Sequence, residues 1–282
     1  MTAKAAVVGW PIQHSLSPVL HGHWLKQYGI DGTYEKIAIE PGTFPQRIAE
    51  LREAGYRGVN VTVPFKEEAF ALGQLKQQAA AACGAANLLV FGEQISANNT
   101  DAFGLADSVE EVLGKGWLRF KNVVMLGAGG AARGVAYGLS HYGAAEITIL
   151  NRTKDRADQL AADLGAHLPD ADFRTGALDD WKTVAADADL VVNTTSAGMK
   201  GVPPLEIDLS VLPEQAAICD IVYNPLMTPL LKDAQARDLQ TIDGLGMLMH
   251  QAAPSFEAFF GVKPQVTREL RAALVEALAA RG

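Results

Sequence analysis

Residues 121–153 read KNVVMLGAGGAARGVAYGLSHYGAAEITILNRT, and this stretch decides the fold. An apolar run, KNVVML, breaks into the glycine turn GAGGAA; a helical stretch of small residues, RGVAYGLSHYG, follows, and a second apolar run, AEITILNRT, closes it. Strand, turn, helix and strand within about thirty residues is the length of one βαβ unit. The turn needs residues that tolerate unusual dihedrals and close backbone approach, so Gly127, Ala128, Gly129, Gly130 and Ala131 form a candidate cradle for a diphosphate. Ala132 takes the third position of the G-x-G-x-x-G/A pattern. The first N–H groups of the helix that begins there can receive the negative charge.

About 20 residues after such a turn, an NAD site carries Asp or Glu against the ribose hydroxyls. Here the second strand ends in Asn151-Arg152-Thr153, with Arg156 close behind. A carboxylate would repel a 2'-phosphate, whereas the planar guanidinium of Arg152 hydrogen-bonds one, Thr153 adds a hydroxyl and Arg156 adds charge. The expected cofactor is therefore NADP rather than NAD. The bland alternative is a pair of surface arginines at a helix start.

Around this unit the chain keeps alternating β-rich apolar runs with Ala-rich helical ones, the pattern of an α/β protein whose mostly parallel sheet has helices on both faces. Further strands are expected at ADLVVNTTS and AAICDIVYN, and a closing helix at TRELRAALVEALAAR, where Leu270, Leu274 and Leu278 recur every four residues. Having no strands of its own, that last segment is expected to return and cover the first domain. At 282 residues the chain favours two domains. Thirty-two acidic against 24 basic residues leave a net charge of −8, which argues against a nonspecific nucleic-acid binder and requires any anionic ligand to meet concentrated cations. Two cysteines without metal or redox spacing suggest a reducing, cytoplasmic compartment. No run of about 20 apolar residues predicts a membrane span, and the N-terminus lacks the apolar run of a signal peptide.

Before the glycine turn, AAVVGW reads as a buried strand, and Ser17, Pro18 and Gly29 read as the N-cap, first position and end of a helix. Val59, Val61 and Val63 alternate through a second strand that stops at Pro64, so Thr62 and Lys66 lie where strand passes to helix. Ligands collect at the carboxyl ends of strands in open α/β sheets. Ser15, Ser17, Thr62, Lys66, Asn87 and Asp101 are polar and lie in loops or at strand ends. Two hydroxyls near a helix start suit a carboxylate, and a Lys with an Asp suits proton transfer at a hydroxyl or ketone. Each has a plainer role: Ser17 as a cap, Lys66 as a solvated charge, Asp101 as a cap for a helix beginning near Phe103. His14, His21 and His23 lie close in sequence, but no carboxylate or further His completes a metal ligand set, so no metal is expected.

Six motifs occur in one order: HSLSP at 14–18, NVTVPFK at 60–66, NNTD at 98–101, GAGGAAR at 127–133, NRT at 151–153 and GLGMLMHQA at 244–252. In this the chain resembles the shikimate dehydrogenases from end to end. The resemblance implies NADPH-dependent reduction of 3-dehydroshikimate to shikimate in aromatic amino acid (chorismate) biosynthesis. It also implies a discontinuous α/β substrate domain with a mixed sheet, residues 1–103 plus 241–282, around a Rossmann domain at 104–240. Ser15, Ser17 and Thr62, helped by Tyr223, would hold the substrate carboxylate, and Asn87, Asp101 and Gln251 would grip ring hydroxyls. Lys66 and Asp101 would be the catalytic pair, the ammonium stabilising and protonating the C3 oxygen while the carboxylate orients it or joins the proton relay. Thr195 and Gly244 would join the cofactor site.

Two departures from the family pattern stand out: Leu88 replaces a threonine after Asn87, and Gly22 replaces an asparagine after His21. Rival readings are a quinate/shikimate dehydrogenase that uses NAD, against which Arg152 argues, and a methylenetetrahydrofolate dehydrogenase-like enzyme, which would not need the serine pair. A non-catalytic NADP-sensing regulator is disfavoured because Lys66 and Asp101 are both retained. The expected partner is a small molecule, with no nucleic acid or membrane, and the chain is expected as a monomer or homodimer.

Overall fold

A computed structural model describes residues 2–281. The chain forms two compact units: one comprises residues up to Thr100 together with those from Gln251 onward, and the other is Asp101–His250.

The first unit begins with β1 (Ala3–Gly9), α1 (Ser17–Gln27), β2 (Gly32–Ala38), α2 (Phe44–Glu53), β3 (Tyr56–Val61) and α3 (Lys66–Leu72). There follow β4 (Leu75–Lys76), α4 (Gln78–Cys83), β5 (Leu88–Phe91) and β6 (Ile95–Asn98). The strands form one mixed sheet in the order β2-β1-β3-β5-β6-β4. β1 is parallel to both β2 and β3, while β5 runs antiparallel to β3 and β6. The place of β1 inside the sheet, paired on both sides, explains why Ala5, Ala6, Val7 and Val8 are all buried, without the polar alternation of a one-sided strand. The alternation through residue 63 overshoots: β3 ends at Val61, and Val63 is exposed. One face of the sheet packs on α2 and α3 through Phe44, Ile48 and Phe65, the two phenylalanine rings stacked at 4.8 Å.

The second unit runs α5 (Asp101–Leu113), β7 (Asn122–Leu126), α6 (Gly130–His141), β8 (Glu146–Asn151), α7 (Lys154–Gly165), β9 (Asp172–Ala177) and α8 (Trp181–Val184). It continues through β10 (Leu190–Asn193), β11 (Ala217–Asp220), α9 (Pro229–Gln235) and β12 (Gln240–Ile242). All six of its strands are parallel, in the order β12-β11-β10-β7-β8-β9. The order reverses between β7 and β10, the switch point at which open α/β sheets leave a crevice at the strands' carboxyl ends. Val123, Val124, Met125 and Leu126 fill the middle of this sheet.

The chain then enters α10 (Gly244–Phe260) and ends in α11 (Arg268–Ala279). In the first unit Leu270 and Leu274 of α11 are wholly buried. The approach to α11 is fastened to α1 by Trp24 Nε1, which donates to the Gln265 carbonyl at 3.0 Å, and by the Gln265 N–H, which donates to Tyr28 Oη at 3.1 Å. Among the described residues no helix is long and apolar enough to cross a membrane.

Candidate active site

In the first unit two loops leave the carboxyl ends of β1 and β3. They are tied side by side by Thr62 N–H to the Val8 carbonyl (2.9 Å) and Trp10 N–H to the Val63 carbonyl (3.0 Å). Gly9 permits this approach, because a Cβ there would lie 2.5 Å from Thr62 Cγ2. The expectation that Ser17 caps α1 does not hold. The N-cap is Leu16, with no side-chain cap bond, and Ser15 Oγ accepts from the Ser17 N–H at 3.3 Å. Ser17 is the first residue of the helix and nearly buried.

Phe65 N–H donates to the Thr62 carbonyl (3.1 Å), turning the chain into α3 so that Lys66 opens the helix. The Lys66 carbonyl accepts from Ala86 N–H at 2.8 Å, which brings the segment before β5 alongside. Asn87, next in line, is buried; its Oδ1 accepts from Thr100 N–H at 2.7 Å and its Nδ2 donates to Thr100 Oγ1 (2.9 Å) and Gln251 Oε1 (3.3 Å). Ser15, Ser17, Thr62, Lys66, Asn87 and Gln251 therefore gather at one end of the first sheet. Of the two family departures, Leu88 heads β5 as a buried core residue, and Gly22 is exposed with nothing within 4 Å of where a Cβ would stand.

In the second unit the glycine turn leaves β7 at the switch point. Gly127 has φ +105°, and a Cβ on it would lie 2.6 Å from Thr195 Cγ2 and 3.0 Å from Thr194 Oγ1. Gly129 and Gly130 are exposed, with nothing within 4 Å of their missing side chains, so open space lies over the first N–H groups of α6. That space and those donors fit the diphosphate of a dinucleotide. Ala128 and Ala131 flank it, half-buried. At the end of β8 the Asn151 side chain donates to the Thr153 carbonyl (2.8 Å), and Arg156 N–H donates to the same carbonyl (3.0 Å). Arg152, Thr153 and Arg156 are exposed, whereas neighbouring Lys154 pairs with Asp158 at 2.7 Å.

Thr195 is placed by a buried hub that no sequence pattern revealed. Asp220, fully buried, accepts from Asn193 Nδ2 (2.9 Å), Val222 N–H (3.0 Å) and Thr228 Oγ1 (2.7 Å). Burial raises its carboxyl pKa, against the lowering effect of those bonds. Asn193 Oδ1 in turn accepts from the Thr195 N–H (3.0 Å) and hydroxyl (2.7 Å). One carboxylate thus holds the turn after β10, which carries Thr195, and the turn after β11, which carries Tyr223. The polar residues in NTTS and CDIVYN were the available signal, hidden because both runs read simply as strands. Gly244 opens α10, and Asp101, half-exposed, is the first residue of α5 rather than a cap for a helix starting near Phe103.

These features define a class: a dinucleotide-binding α/β protein with a second, mixed-sheet unit that carries a hydroxyl, amide and ammonium cluster. Profiles described as the shikimate dehydrogenase substrate binding domain, shikimate / quinate 5-dehydrogenase and shikimate 5'-dehydrogenase C-terminal domain match residues 7–89, 109–245 and 244–274. The chain is 49% identical over 275 residues to shikimate dehydrogenase (NADP(+)) of Mesorhizobium japonicum, covering 97% of this chain and 96% of that one. Shikimate 5-dehydrogenase of Thermus thermophilus, solved in complex with NADP(H) and shikimate, superposes with a TM-score of 0.84 at 34% identity, covering 99% of both chains. Quinate dehydrogenase from Corynebacterium glutamicum in complex with NAD gives a TM-score of 0.90 at 28% identity, covering 98% of this chain and 99% of that one. The chain belongs to the shikimate dehydrogenase family.

Proposed function

We infer that the protein interconverts 3-dehydroshikimate and shikimate with NADP(H), as an oxidoreductase of aromatic amino acid biosynthesis. The observation that carries this reading is the cluster at the carboxyl ends of β1 and β3, within a family member whose β8 is followed by Arg152 rather than a carboxylate. The first unit is assigned the substrate and the second the cofactor. Ser15, Ser17 and Thr62 supply hydroxyl donors for the carboxylate, with Tyr223 as a further hydroxyl. Asn87 and Gln251 already face each other, so their amides can share a ring hydroxyl between them.

Bound NADPH supplies the hydride. The Gly127–Ala131 turn and the N-terminus of α6 suit the diphosphate, Thr195 and Gly244 line the same site, and Arg152, with Asn151, Thr153 and Arg156, suits the 2'-phosphate. Lys66 holds positive charge where the carbonyl oxygen becomes negative and gives it a proton; Asp101 orients that oxygen or relays the proton. A small biosynthetic substrate and two cysteines buried at 1% and 2% exposure agree with a cytoplasmic setting.

The test is a spectrophotometric assay of shikimate and quinate oxidation with each nicotinamide cofactor. Shikimate with NADP is expected to give the highest kcat/KM. A preference for quinate with NAD would overturn the reading in favour of the quinate-type alternative.

A further inference from the structure

In the second unit the turn after β10 lies directly against the glycine turn. The Thr194 N–H and hydroxyl both donate to the Leu126 carbonyl, at 2.9 and 2.8 Å. The methyl carbon of Thr195 crowds Gly127 so closely that a Cβ there would lie 2.6 Å away. The polar groups of Thr195 are engaged within the turn itself: its N–H and hydroxyl donate to Asn193 Oδ1 at 3.0 and 2.7 Å, and its hydroxyl accepts from the Ala197 N–H at 3.0 Å. Asn193 is in turn held by Asp220, whose Oδ1 accepts from Asn193 Nδ2 at 2.9 Å and from the Val222 N–H at 3.0 Å. Asn193 and Asp220 are 1% and 0% exposed, so water does not compete for these bonds.

We propose that Asp220 and Asn193 are a positioning pair for the cofactor, fixing Thr194 and Thr195 against the glycine turn and so holding one wall of the diphosphate cradle. This deepens the reading of the Gly127–Ala131 turn and Thr195 as the cofactor site and rests on it. An asparagine amide left alone presents either end to a neighbour, whereas an ionised carboxylate only accepts. Asp220 therefore claims the NH2 of Asn193, and the amide oxygen is left for the two donors of Thr195. A cradle set in advance loses less conformational entropy when its ligand arrives. The other carboxylate oxygen serves a different end. Asp220 Oδ2 accepts from Thr228 Oγ1 at 2.7 Å, and Thr228 Oγ1 accepts from the Leu231 N–H at 3.3 Å, capping α9 rather than touching the glycine turn. The two arms can be cut separately, as members of one buried network.

The test measures the dissociation constant for NADP by isothermal titration calorimetry, with KM for shikimate alongside, on the full-length protein. Asn193→Leu keeps the side-chain shape and removes the amide. It is expected to weaken NADP binding about tenfold, one hydrogen bond's worth, with KM for shikimate changed less than about twofold. Asp220→Asn still offers an oxygen to the Val222 N–H but no longer dictates which end of the Asn193 amide faces Thr195. It should weaken NADP binding by a smaller factor, and it carries the test alone where Asn193→Leu fails to fold. Thr228→Val cuts the other arm and the cap, so it should lower the unfolding temperature while changing NADP affinity less than about twofold. Unchanged NADP affinity in a folded variant of Asn193 or Asp220, a matching rise in KM for shikimate, or an equal loss of NADP affinity in Thr228→Val would overturn the positioning role and leave the glycine turn as the cofactor site. If the wild-type protein itself does not bind NADP, the cofactor reading fails first, and this inference with it.

Discussion

His21 is the most strongly perturbed histidine in the first unit. It is 1% exposed, neither ring nitrogen meets a hydrogen-bond partner among the described residues, and its neighbours are the rings of Trp24, Tyr34, Phe256 and Phe259. Burial pushes its pKa down from 6.5 to about 3. The unfolded chain therefore binds a proton that the folded one refuses throughout that window. Stability is full above pH 6.5 and falls as pH drops toward 3, with a one-proton slope of about 1.4 kcal/mol per pH unit. His21→Phe, which keeps a ring on Tyr34, should remove that slope when unfolding free energies are compared between about pH 6 and pH 4. A slope identical to wild type would show that His21 titrates normally. Lys66→Ala should lower kcat on the order of 10² to 10⁴ in the shikimate assay, the range for general acid-base groups. The backbone carbonyl that accepts from Ala86 survives the substitution, so the loss reads the side chain. Ser17 shows how far local sequence reaches at this scale. S-P before an apolar run looks like a cap, but the helix opens one residue earlier, with Leu16 at the N-cap and Ser17 already inside its first turn.

Among the elements, the turn from β8 into α7 governs cofactor choice. Arg152→Ala should reduce kcat/KM with NADPH by about 10- to 100-fold, the worth of a charge-assisted hydrogen bond, and leave the value with NADH nearly untouched. Steady-state kinetics with both cofactors give the ratio, and equal losses with both would mean that Arg152 supports the site in general rather than the 2'-phosphate. This turn was legible in the sequence because β7, α6 and β8 are central, buried and punctuated by glycine. The two edge strands of the first sheet, and the short hairpin inside it, were not. β2 exposes most of its residues, β4 has two residues, and the β5–β6 pair turns at Gly92-Glu93-Gln94 with no strong hairpin signal. Short edge strands carry too little apolar periodicity to announce themselves. The Asp220 hub was hidden for a different reason: a carboxylate at the end of an apolar strand predicts exposure, and the burial arises from Asn193 and Thr228, which the fold alone brings to it.

For the molecule as a whole, the first unit depends on segments from far apart in the chain. Leu270 is fully buried there, so Leu270→Ala should cost about 2–5 kcal/mol of unfolding free energy. Urea titration gives the value, and a loss under about 1 kcal/mol would show that the end of the chain contributes little to that core. The recurrence of leucines every four residues made this helix readable in the sequence. The carbonyls it would reach were not, since Arg281 donates to those of His14 and Ser15 at 2.7 and 3.3 Å across more than 260 positions of chain. The Asp101–His250 unit, by contrast, is one uninterrupted segment. On a ribosome every strand of its parallel sheet is translated before Gln265, the residue that must meet Trp24 and Tyr28. Nascent domains fold as units in the order they appear. The half that starts first is therefore the half that finishes last, waiting with an uncovered flank for its closing helix while the later-made half is already complete.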